Sequence, residues 1–300
     1  MKKKIAFLTY QDAYAFLKTC PDFLDEYALL RPYFNDFDSD LFLVDWQDKS
    51  INWREFDLVI PRRCWNYSDH HMDFNNLIQQ FVHHRIKVRN VPSTILWNMN
   101  KSYLIDLKNK GLPVGELSII YRNNTNYIHE ISHTAEKMMS RSPLSFFIAK
   151  PTIGAAGIDV IKFAADQIQE LTPIFKRIHA YSDIIIQPYF PEVALDGEYS
   201  YFFIGESFSH AVRKKPAEGN YLALQRYGAE NMKHKPSSDE IIKAQRFVRT
   251  IQPSCDYARV DVFKRDHELY LLELELIEPY LYFEHAPSKS IIDFCQSVLS

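Results

Sequence analysis

The sequence of 300 residues has few cysteines, no long apolar segment and no strong excess of charge. Its four cysteines, Cys20, Cys64, Cys255 and Cys295, are far apart and form no C-x-x-C pair, which predicts free thiols in a reducing cytoplasm. No apolar run approaches the roughly 20 residues of a membrane span. The lysines at positions 2–4 precede too few apolar residues for a signal peptide. These absences predict a cytoplasmic protein without a membrane partner.

The charges are nearly balanced along the chain. There are 35 Lys and Arg residues against 38 Asp and Glu residues, which gives a formal net charge of −3. Beyond the lysines at positions 2–4, like charges form no block, so no nucleic-acid partner is expected. Hydrophobic residues make up 46% of the chain, enough for a sizeable core in one large domain or in two.

The first 95 residues have the pattern of an α/β domain. Apolar runs at residues 4–9, 41–44 and 56–60 alternate with helical patterns at about 23–33, opening near Asp22, and at about 72–84. This alternation predicts a mostly parallel sheet. A helix is expected over residues 98–109, because Gly111 and Pro113 follow it as stop signals. The remaining sequence indicates an α+β body rich in antiparallel hairpins.

Three carboxylates interrupt an otherwise apolar pair of strands near the C-terminus. The segments 257–263 and 269–277 alternate with period two, and a hairpin centred on His267 would place Asp261 opposite Glu273, with Glu275 on the same face. Three acids on one patch should repel one another. A divalent cation such as Mg²⁺ or Mn²⁺ would neutralise them. The alternative is a solvent-facing strand edge.

A lysine and a loop of small residues form a second motif. Lys150 ends the apolar segment 145–150, where a cation usually needs an anionic partner. Gly154, Ala155 and Gly157 follow, and small residues let backbone N–H groups approach a phosphate closely. An ordinary β-turn is the alternative, since neither G-x-x-x-x-G-K-[ST] nor G-x-G-x-x-G is present. Together with the carboxylates, this motif indicates a triphosphate–metal site.

The order of these motifs resembles the ATP-grasp superfamily of carboxylate–amine ligases. The most similar subgroup is the glutathione-synthetase-like type that includes the O-ureido-serine cyclo-ligases of cycloserine biosynthesis. The resemblance is carried by Asn100-Lys101-Ser102-Tyr103-Leu104, Ala149-Lys150-Pro151, Gln187-Pro188-Tyr189, Gly197-Glu198-Tyr199-Ser200, Lys214-Lys215-Pro216, Ala258-Arg259-Val260-Asp261 and Glu273-Leu274-Glu275-Leu276-Ile277-Glu278-Pro279. It implies an ATP-grasp fold with a parallel α/β N-terminal domain (residues 1–95), a small central lid subdomain (96–186) and a C-terminal antiparallel-sheet subdomain with the metal site (187–300).

The resemblance also implies roles for individual residues. Two lysines would contact the nucleotide phosphates under a flexible lid loop, and a hinge segment would meet the adenine. Two Mg²⁺ or Mn²⁺ ions would bind three carboxylates, and two further cations would face the transferring phosphate or the substrate carboxylate. The phosphate lysines are Lys101 and Lys150, and the lid loop contains Gly154, Ala155 and Gly157. The hinge segment is Gln187, Pro188 and Tyr189, and the metal carboxylates are Asp261, Glu273 and Glu275. The two further cations are Lys214 and Arg259.

One departure concerns the acceptor substrate. Ureido-serine ligases tend to have an arginine where this chain has Leu222, in a loop expected near the acceptor, and losing a guanidinium there removes a bidentate contact. Arg226 is a candidate substitute. Arg62 and Arg63 are candidates for binding a substrate carboxylate, because they follow a strand of the parallel sheet. Trp65 and Tyr67 either line the acceptor pocket or pack between domains.

The implied reaction is ATP-dependent ligation of a small carboxylate and an amine, of amino-acid-like or peptide-like type, through an acyl phosphate. This reaction needs no protein nucleophile, and the sequence has no Ser/His/Asp or Cys/His signature. Two other functions stay open: a non-catalytic ATP-binding protein on the same scaffold, and a phosphotransferase with a hydroxyl acceptor. The sequence leaves a homodimer open as well.

Overall fold

The computed structural model describes residues 2–13, 15, 17, 24–141 and 145–300. Within these residues, three sheets follow one another: a parallel one, a four-stranded antiparallel one and a five-stranded antiparallel one. Cys20 and the helix start expected near Asp22 lie outside the described residues. In the part of the chain that is described, no helix has the length and apolar character to cross a membrane.

The first sheet is parallel, as its sequence pattern predicts. Its strands are β1 (Lys3–Thr9), β2 (Ser39–Asp45) and β3 (Leu58–Pro61), in the order β2-β1-β3. Its helices are α1 (Glu26–Asp36), α2 (His71–His84) and α3 (Pro92–Asn98). Val88 adds an isolated parallel bridge to Val59 of β3.

The second sheet has the strand order β4-β7-β5-β6 and is antiparallel. Its stretch of chain contains α4 (Tyr103–Asn109), β4 (Ser118–Ile120), α5 (Tyr127–Met139), β5 (Phe147–Pro151), β6 (Ile161–Phe163), α6 (Thr172–Tyr181) and β7 (Ile184–Pro188). The single helix predicted over residues 98–109 is wrong, because the chain leaves the helical path after Asn98 and resumes it at Tyr103. Lys101 lies in this break, where its N–H donates to the carbonyl of Thr152 at 2.8 Å.

The third sheet is antiparallel and has the order β10-β9-β8-β11-β12. Its elements are α7 (Pro191–Leu195), β8 (Glu198–Ile204), β9 (Ser207–Lys215), β10 (Glu230–His234), α8 (Ser238–Arg249), β11 (Tyr257–Arg265), β12 (Glu268–Glu275) and α9 (Ser288–Leu299). A tight turn joins β11 to β12 through Asp266 and His267, both with positive φ. The predicted hairpin centred on His267 is therefore confirmed.

The N-terminal sheet packs against the end of the chain. Phe7 of β1 and Leu30 of α1 share one apolar cluster with Tyr257 of β11 and Phe294 of α9. All four are fully buried or nearly so, and burial of large apolar side chains is the main favourable term in such contacts. This packing fixes the loop that follows β3 relative to the segment that follows β12. That segment closes the cavity described next.

Candidate active site

A cavity of about 210 Å³ lies between the second and third sheets. One wall comes from β5 and β7, where Ile148, Lys150 and Gln187 line it, and the opposite wall comes from β11 and β12. Ile148 and Lys150 are two residues apart, and Gln187 pairs with Ile148, so the three side chains share one face of the sheet. The cavity therefore lies between the faces of two sheets.

Strand register places six charged side chains on one face of the third sheet. Asp261 of β11 lies opposite Glu273 of β12, Arg259 lies opposite Glu275, and Glu198 of β8 lies opposite Lys214 of β9. All of these residues, together with Lys101, line the cavity. The period-two alternation seen in the sequence thus brings the predicted charged residues into one site.

Cations interleave these acids and offset part of the repulsion that is expected among the three carboxylates. Arg259 binds Asp261 at 2.9 Å and also contacts Glu275, while Lys101 lies 3.1 Å from Glu273. Lys214 contacts Glu198 and lies 3.3 Å from Asp261. Neighbouring Arg and Lys side chains therefore offset the like charges within the protein itself.

The carboxyl groups have displaced pKa values. Burial alone would raise the pKa of Asp261, but Arg259 and Lys214 outweigh it and hold this pKa at about 2. Ser200 donates a hydrogen bond of 2.6 Å to the same carboxylate. Burial, with Asp261 and Glu273 nearby, raises the pKa of Glu275 to about 7 despite Arg259. Asp261 is thus ionised at neutral pH, whereas the carboxyl group of Glu275 titrates near neutral pH.

Within the described ranges, no three His, Cys, Asp or Glu side chains converge closely enough to hold a metal ion as they stand. Asp261, Glu273 and Glu275 point their oxygens at Arg259, Lys101 and Lys214 instead. Metal binding by the three carboxylates stays a prediction.

Lys150 differs from the other three cations of the cavity. It forms no ion pair with any residue that the structure describes, and burial lowers its pKa, although Glu273 partly offsets this effect. Lys101, by contrast, donates to the carbonyl of Gly154 and so ties the glycine loop to the break between α3 and α4. An unpaired buried ammonium group is costly unless an anion joins it.

The glycine loop forms the roof of the cavity, and Gly154, Ala155 and Gly157 all line it. Gly157 has a φ of +71°, and a Cβ atom there would lie 2.7 Å from Leu224 and 3.3 Å from Leu222. The loop thus packs against the segment that contains Leu222, the residue that departs from the ureido-serine ligases. Tyr221 joins the two segments by donating to the carbonyl of Val160 at 3.0 Å.

The predicted adenine segment lies only in part at the cavity. Gln187 and Tyr189 line it, whereas Pro188 pairs with Phe147 on the opposite face of the sheet. The N–H of Tyr189 already donates to the carbonyl of Phe146 at 2.9 Å. Adenine binding by this segment stays a prediction, and the N–H of Tyr189 is committed within the protein.

The arginines predicted to bind a substrate carboxylate lie away from the cavity. Arg62 is 1% exposed and makes two hydrogen bonds to Glu26, at 2.7 and 3.0 Å, and one to the carbonyl of Pro279 at 2.6 Å. Arg63 contacts Asp25, the residue that caps α1. Both guanidinium groups are thus committed to acidic side chains, which explains why they are buried without facing the cavity.

The other substrate candidates divide between the two predicted alternatives. Tyr67 lines the cavity, and burial together with Glu278 raises its pKa well above the usual range. Trp65 is half-buried and lies outside the lining. Arg226 stacks on the ring of Tyr227 and does not line the cavity, so it leaves the position of Leu222 without a guanidinium.

Two carboxylates of the cavity were not among the predicted site residues. Glu198 pairs with Lys214, and Glu278 follows β12 by three residues. Burial and the neighbouring Glu275 raise the pKa of Glu278 well above its ordinary range. The Gly197-Glu198 motif contained a signal for the first, whereas Glu278 lies beyond the strand alternation that identifies the others.

Comparison with known proteins places this cavity in a known architecture. Residues 5–90 match the family described as D-cycloserine synthetase DcsG, N-terminal domain. The cycloserine biosynthesis protein DcsG of Streptomyces lavendulae is 25% identical over 173 residues, which are 57% of this chain and 56% of that protein. The aligned region thus spans little more than half of either chain.

Solved structures extend the similarity to the whole chain. The D-cycloserine synthetase DcsG superposes with a TM-score of 0.83 at 20% identity and covers 98% of each chain. A RimK-domain ATP-grasp protein of Sphaerobacter thermophilus gives 0.66 at 12% identity, covering 98% of this chain and 97% of its own. The D-alanine–D-alanine ligase of Bacillus anthracis gives 0.63 at 10% identity, covering 99% and 96%.

This chain therefore has the ATP-grasp fold, with a cavity between its two antiparallel sheets. Among ATP-grasp proteins it is similar to D-cycloserine synthetase, in structure over nearly its full length and in sequence over residues 5–90. The fold class and the resemblance to ATP-grasp proteins of the cycloserine type, both expected from the sequence motifs, are confirmed.

Proposed function

We propose that this protein is an ATP-dependent carboxylate–amine ligase that acts through an acyl phosphate on a small amino-acid-like or peptide-like substrate. The observation that carries the proposal is the unpaired Lys150 on one wall of the cavity, facing the carboxylates of β11 and β12 on the other. A triphosphate–metal complex needs both kinds of group, and the ATP-grasp fold brings them together here.

The residues present fit ATP and Mg²⁺. Asp261, Glu273 and Glu275 offer only oxygen donors, which suit a hard divalent cation. Lys150 offers a cation without a partner, and a Cβ atom at Gly154 or Gly157 would collide with Pro151 or Leu224, so the roof leaves room only for small residues. We expect Asp261, Glu273 and Glu275 to hold the metal and Lys101 and Lys150 to bind the nucleotide phosphates.

The proposed reaction has two steps. A substrate carboxylate oxygen attacks the γ-phosphorus, the bond to the bridging oxygen breaks, and ADP leaves. The amine nitrogen then attacks the acyl carbon, the bond to phosphate breaks, and the amine loses a proton. Magnesium, when bound, withdraws charge from the phosphate oxygens.

The protein's own cations stabilise charge and position the substrate. Lys214 and Arg259 lie beside Asp261 on the cavity wall that the third sheet forms. There they would face the oxygens of the transferring phosphate or the substrate carboxylate. Burial lowers the pKa of Lys214, but Asp261 and Glu198 outweigh it and raise this pKa, so the ammonium group stays charged at neutral pH. Its charge is thus available throughout the reaction.

The roof has the composition needed to exclude water from an acyl phosphate. Leu222 and Leu224 cover the cavity where they meet Gly157. Removing water strengthens the electrostatic contacts within the cavity and protects the reactive acyl phosphate from hydrolysis. A carboxylate-activating enzyme needs this protection more than a nucleotide-binding protein does, which favours the ligase over the non-catalytic alternative.

The relatives suggest where to search for the substrate. One is named D-cycloserine synthetase and another D-alanine–D-alanine ligase, so an amino-acid derivative that closes a ring and a pair of amino acids are the first two classes to test. Cysteines 64, 255 and 295 are buried free thiols, which supports the proposed cytoplasmic location. The predicted domain boundaries at residues 95 and 186 stay part of the proposal.

Phosphate release from Mg·ATP tests the function. The panel contains O-ureido-D-serine, D-alanine and other single amino acids and pairs, with wild type, Glu273→Gln and Lys150→Met. We expect release with one carboxylate–amine combination only, and at least a hundredfold loss in both variants. Formation of ADP that needs a hydroxyl acceptor and no amine, with the phosphoryl group retained on that acceptor and no phosphate released, would indicate a phosphotransferase. Binding of Mg·ATP without release on the whole panel would favour a non-catalytic ATP-binding protein.

A further inference from the structure

Among the carboxyl groups that line the cavity, within the described chain, Glu278 is the one that makes no direct ion pair. Its Oε2 is buried and has no hydrogen-bond partner among the described residues. The other four cavity acids each contact a cation: Glu198 and Asp261 contact Lys214, Glu273 contacts Lys101, and Glu275 contacts Arg259. Glu278 therefore carries a binding capacity that the folded chain does not use.

The cations nearest to Glu278 are already committed. Arg62 and Arg259 both act on its carboxyl group electrostatically. Arg62, however, directs its hydrogen bonds to Glu26 and to the carbonyl of Pro279, and Arg259 directs its own to Asp261 and Glu275. An ionised carboxylate left without a direct partner in a buried site is unfavourable, so a cation that joins it from outside gains a strong contact.

The surroundings of Glu278 leave space for a ligand. It borders the same cavity as Glu275 and lies close enough to Tyr67 to perturb that phenol. Leu222, Ala223 and Leu224 on the roof carry no charge. The cavity as a whole is lined by five carboxylates and four Lys or Arg side chains, so it has one acid in excess.

We propose that Glu278 binds the ammonium group of the substrate, which makes the substrate an amino compound whose reacting carboxylate lies toward Lys214 and Arg259. This inference rests on the proposed ligase function and deepens it by giving the substrate class. The ammonium group would approach from the cavity, donate to Oε2 and pack beside Tyr67. Glu278 thus selects amino-acid derivatives over the corresponding simple carboxylic acids.

A structural role is the competing account. Nη1 of Arg62 is also buried without a hydrogen-bond partner among the described residues, so one water molecule between Nη1 and Oε2 would make the two groups a bridged pair. In that case, removing the charge of Glu278 would weaken folding and would not change the preference between ligands. The two accounts therefore differ in ligand selectivity.

Calorimetric titration with matched probes separates them. D-cycloserine and 1,2-oxazolidin-3-one share one ring and differ in the amino group, and D-alanine and propanoate form a second pair. Each is titrated into wild type, Glu278→Gln and the control Glu284→Gln, with and without Mg·ADP. Glu284 is a suitable control because it lies six residues away, outside the cavity lining, and is exposed. Glu278→Asp is included as a conservative variant that keeps the charge if Glu278→Gln does not fold.

The expected result is at least tenfold tighter binding of an amino probe than of its matched partner in wild type and in Glu284→Gln. Glu278→Gln should abolish that preference, and Glu278→Asp should retain part of it. Equal binding of matched probes in wild type, or an unchanged preference in Glu278→Gln, would contradict the inference. So would a wild type that binds Mg·ADP but no amino probe. Amine binding without any nucleotide binding would instead refute the proposed function alone.

Discussion

At the scale of single residues, the cavity depends on how each buried charge is neutralised. Lys101, Lys214 and Arg259 pair with carboxylates across adjacent strands, whereas Lys150 and Glu278 have no direct ionic partner among the described residues. A paired group contributes to folding, and an unpaired one contributes its contact only when a ligand arrives. The two unpaired groups are therefore the ones that we propose contact the ligands.

Lys150 and the three carboxylates could be predicted because they interrupt apolar strands, whereas Lys101, Lys214 and Arg259 were expected from the resemblance to ATP-grasp proteins. A charged residue within an alternating apolar strand is easily recognised in the sequence, which is why Asp261, Glu273 and Glu275 could be predicted. Glu278 follows the strand, where no periodicity distinguishes a buried acid from a solvated one. The partners could not be predicted either, since the Arg62–Glu26 pair joins residues that only the tertiary fold brings together.

Asp256 gives a pH prediction outside the cavity. Burial raises its pKa to about 6 from an ordinary 3.8, although Arg89, 3.5 Å away, lowers it. Because the folded state holds this proton more tightly, its stabilising effect is complete below pH 3.8 and is lost as the pH rises through about 6. We expect a loss of roughly 2–3 kcal/mol across that window, from about 1.4 kcal/mol per pKa unit.

Urea unfolding of wild type and Asp256→Asn from pH 3.5 to 7 measures this effect. The asparagine variant, which cannot ionise, should lose less stability than wild type as the pH rises through that window. Parallel curves for the two proteins over the whole range would show that Asp256 is not the group responsible. Asp256→Asn leaves the backbone bonds of this residue to Asn90 and Gly205 unchanged, so it changes only the charge.

At the scale of elements, the β11–β12 hairpin was predictable and the roof of the cavity was not. The hairpin follows from alternation and a short polar turn, so its register could be derived from the sequence. The roof combines residues 154–157 with residues 221–227, more than sixty positions apart, and its packing depends on side-chain contact. Strand β10 is charged and polar, and no pattern distinguished it from a loop.

Gly157→Ala tests the roof as an element. Because Gly157 has a φ of +71°, any side chain there destabilises the protein by about 1–2 kcal/mol. The added methyl group must also displace Leu224. Gly111→Ala is the matched control, because Gly111 has a φ of +79° and nothing within 4 Å of its Cβ position. Thermal unfolding should show a similar loss in both variants, while only Gly157→Ala should weaken Mg·AMPPNP binding.

A double-mutant cycle assigns the effect to the contact. Leu224→Ala removes the atom that the new methyl group would meet, so adding it to Gly157→Ala should restore part of the lost nucleotide affinity relative to Leu224→Ala alone. The backbone strain would remain, since it does not depend on Leu224. Equal affinities in Gly111→Ala and Gly157→Ala would contradict the proposed packing of the roof.

At the scale of the whole molecule, Arg62 connects three parts of the chain. It follows β3, pairs with Glu26 of α1, and donates to the carbonyl of Pro279 beyond β12. Its guanidinium also lies 5.0 Å from the ring centre of Tyr257 and 5.6 Å from that of Phe294. Arg62 is therefore a structural link between the N-terminal sheet and the segment that closes the cavity.

Removing one member of this pair should be costly. Arg62→Ala leaves Glu26, which is 4% exposed, as an uncompensated buried charge, for which a loss of about 3–5 kcal/mol is typical. The double variant Arg62→Met/Glu26→Leu should lose less than either Arg62→Ala or Glu26→Ala. Free energies of unfolding from urea titration provide the comparison, and a double variant less stable than both single ones would contradict the pairing.

The fold class of the three sheets could be predicted from the sequence, but the contacts between the sheets could not. Alternation of strands and helices indicated the parallel sheet, and the order of motifs carried the resemblance to ATP-grasp proteins. The joint between the sheets depends on long-range packing of Phe7 and Leu30 with Tyr257 and Phe294. Such contacts have no local signature in sequence, so the arginines after β3 were expected at the ligand and are found at the joint.

The most direct test of the central claim follows oxygen from the substrate. The substrate identified by phosphate release is prepared with ¹⁸O in its carboxylate and turned over with Mg·ATP, and the released phosphate is analysed by mass spectrometry. Activation through an acyl phosphate predicts that one labelled oxygen appears in the phosphate, because the C–O bond breaks in the second step. Unlabelled phosphate, with both labelled oxygens retained in the product, would contradict carboxylate activation in this cavity.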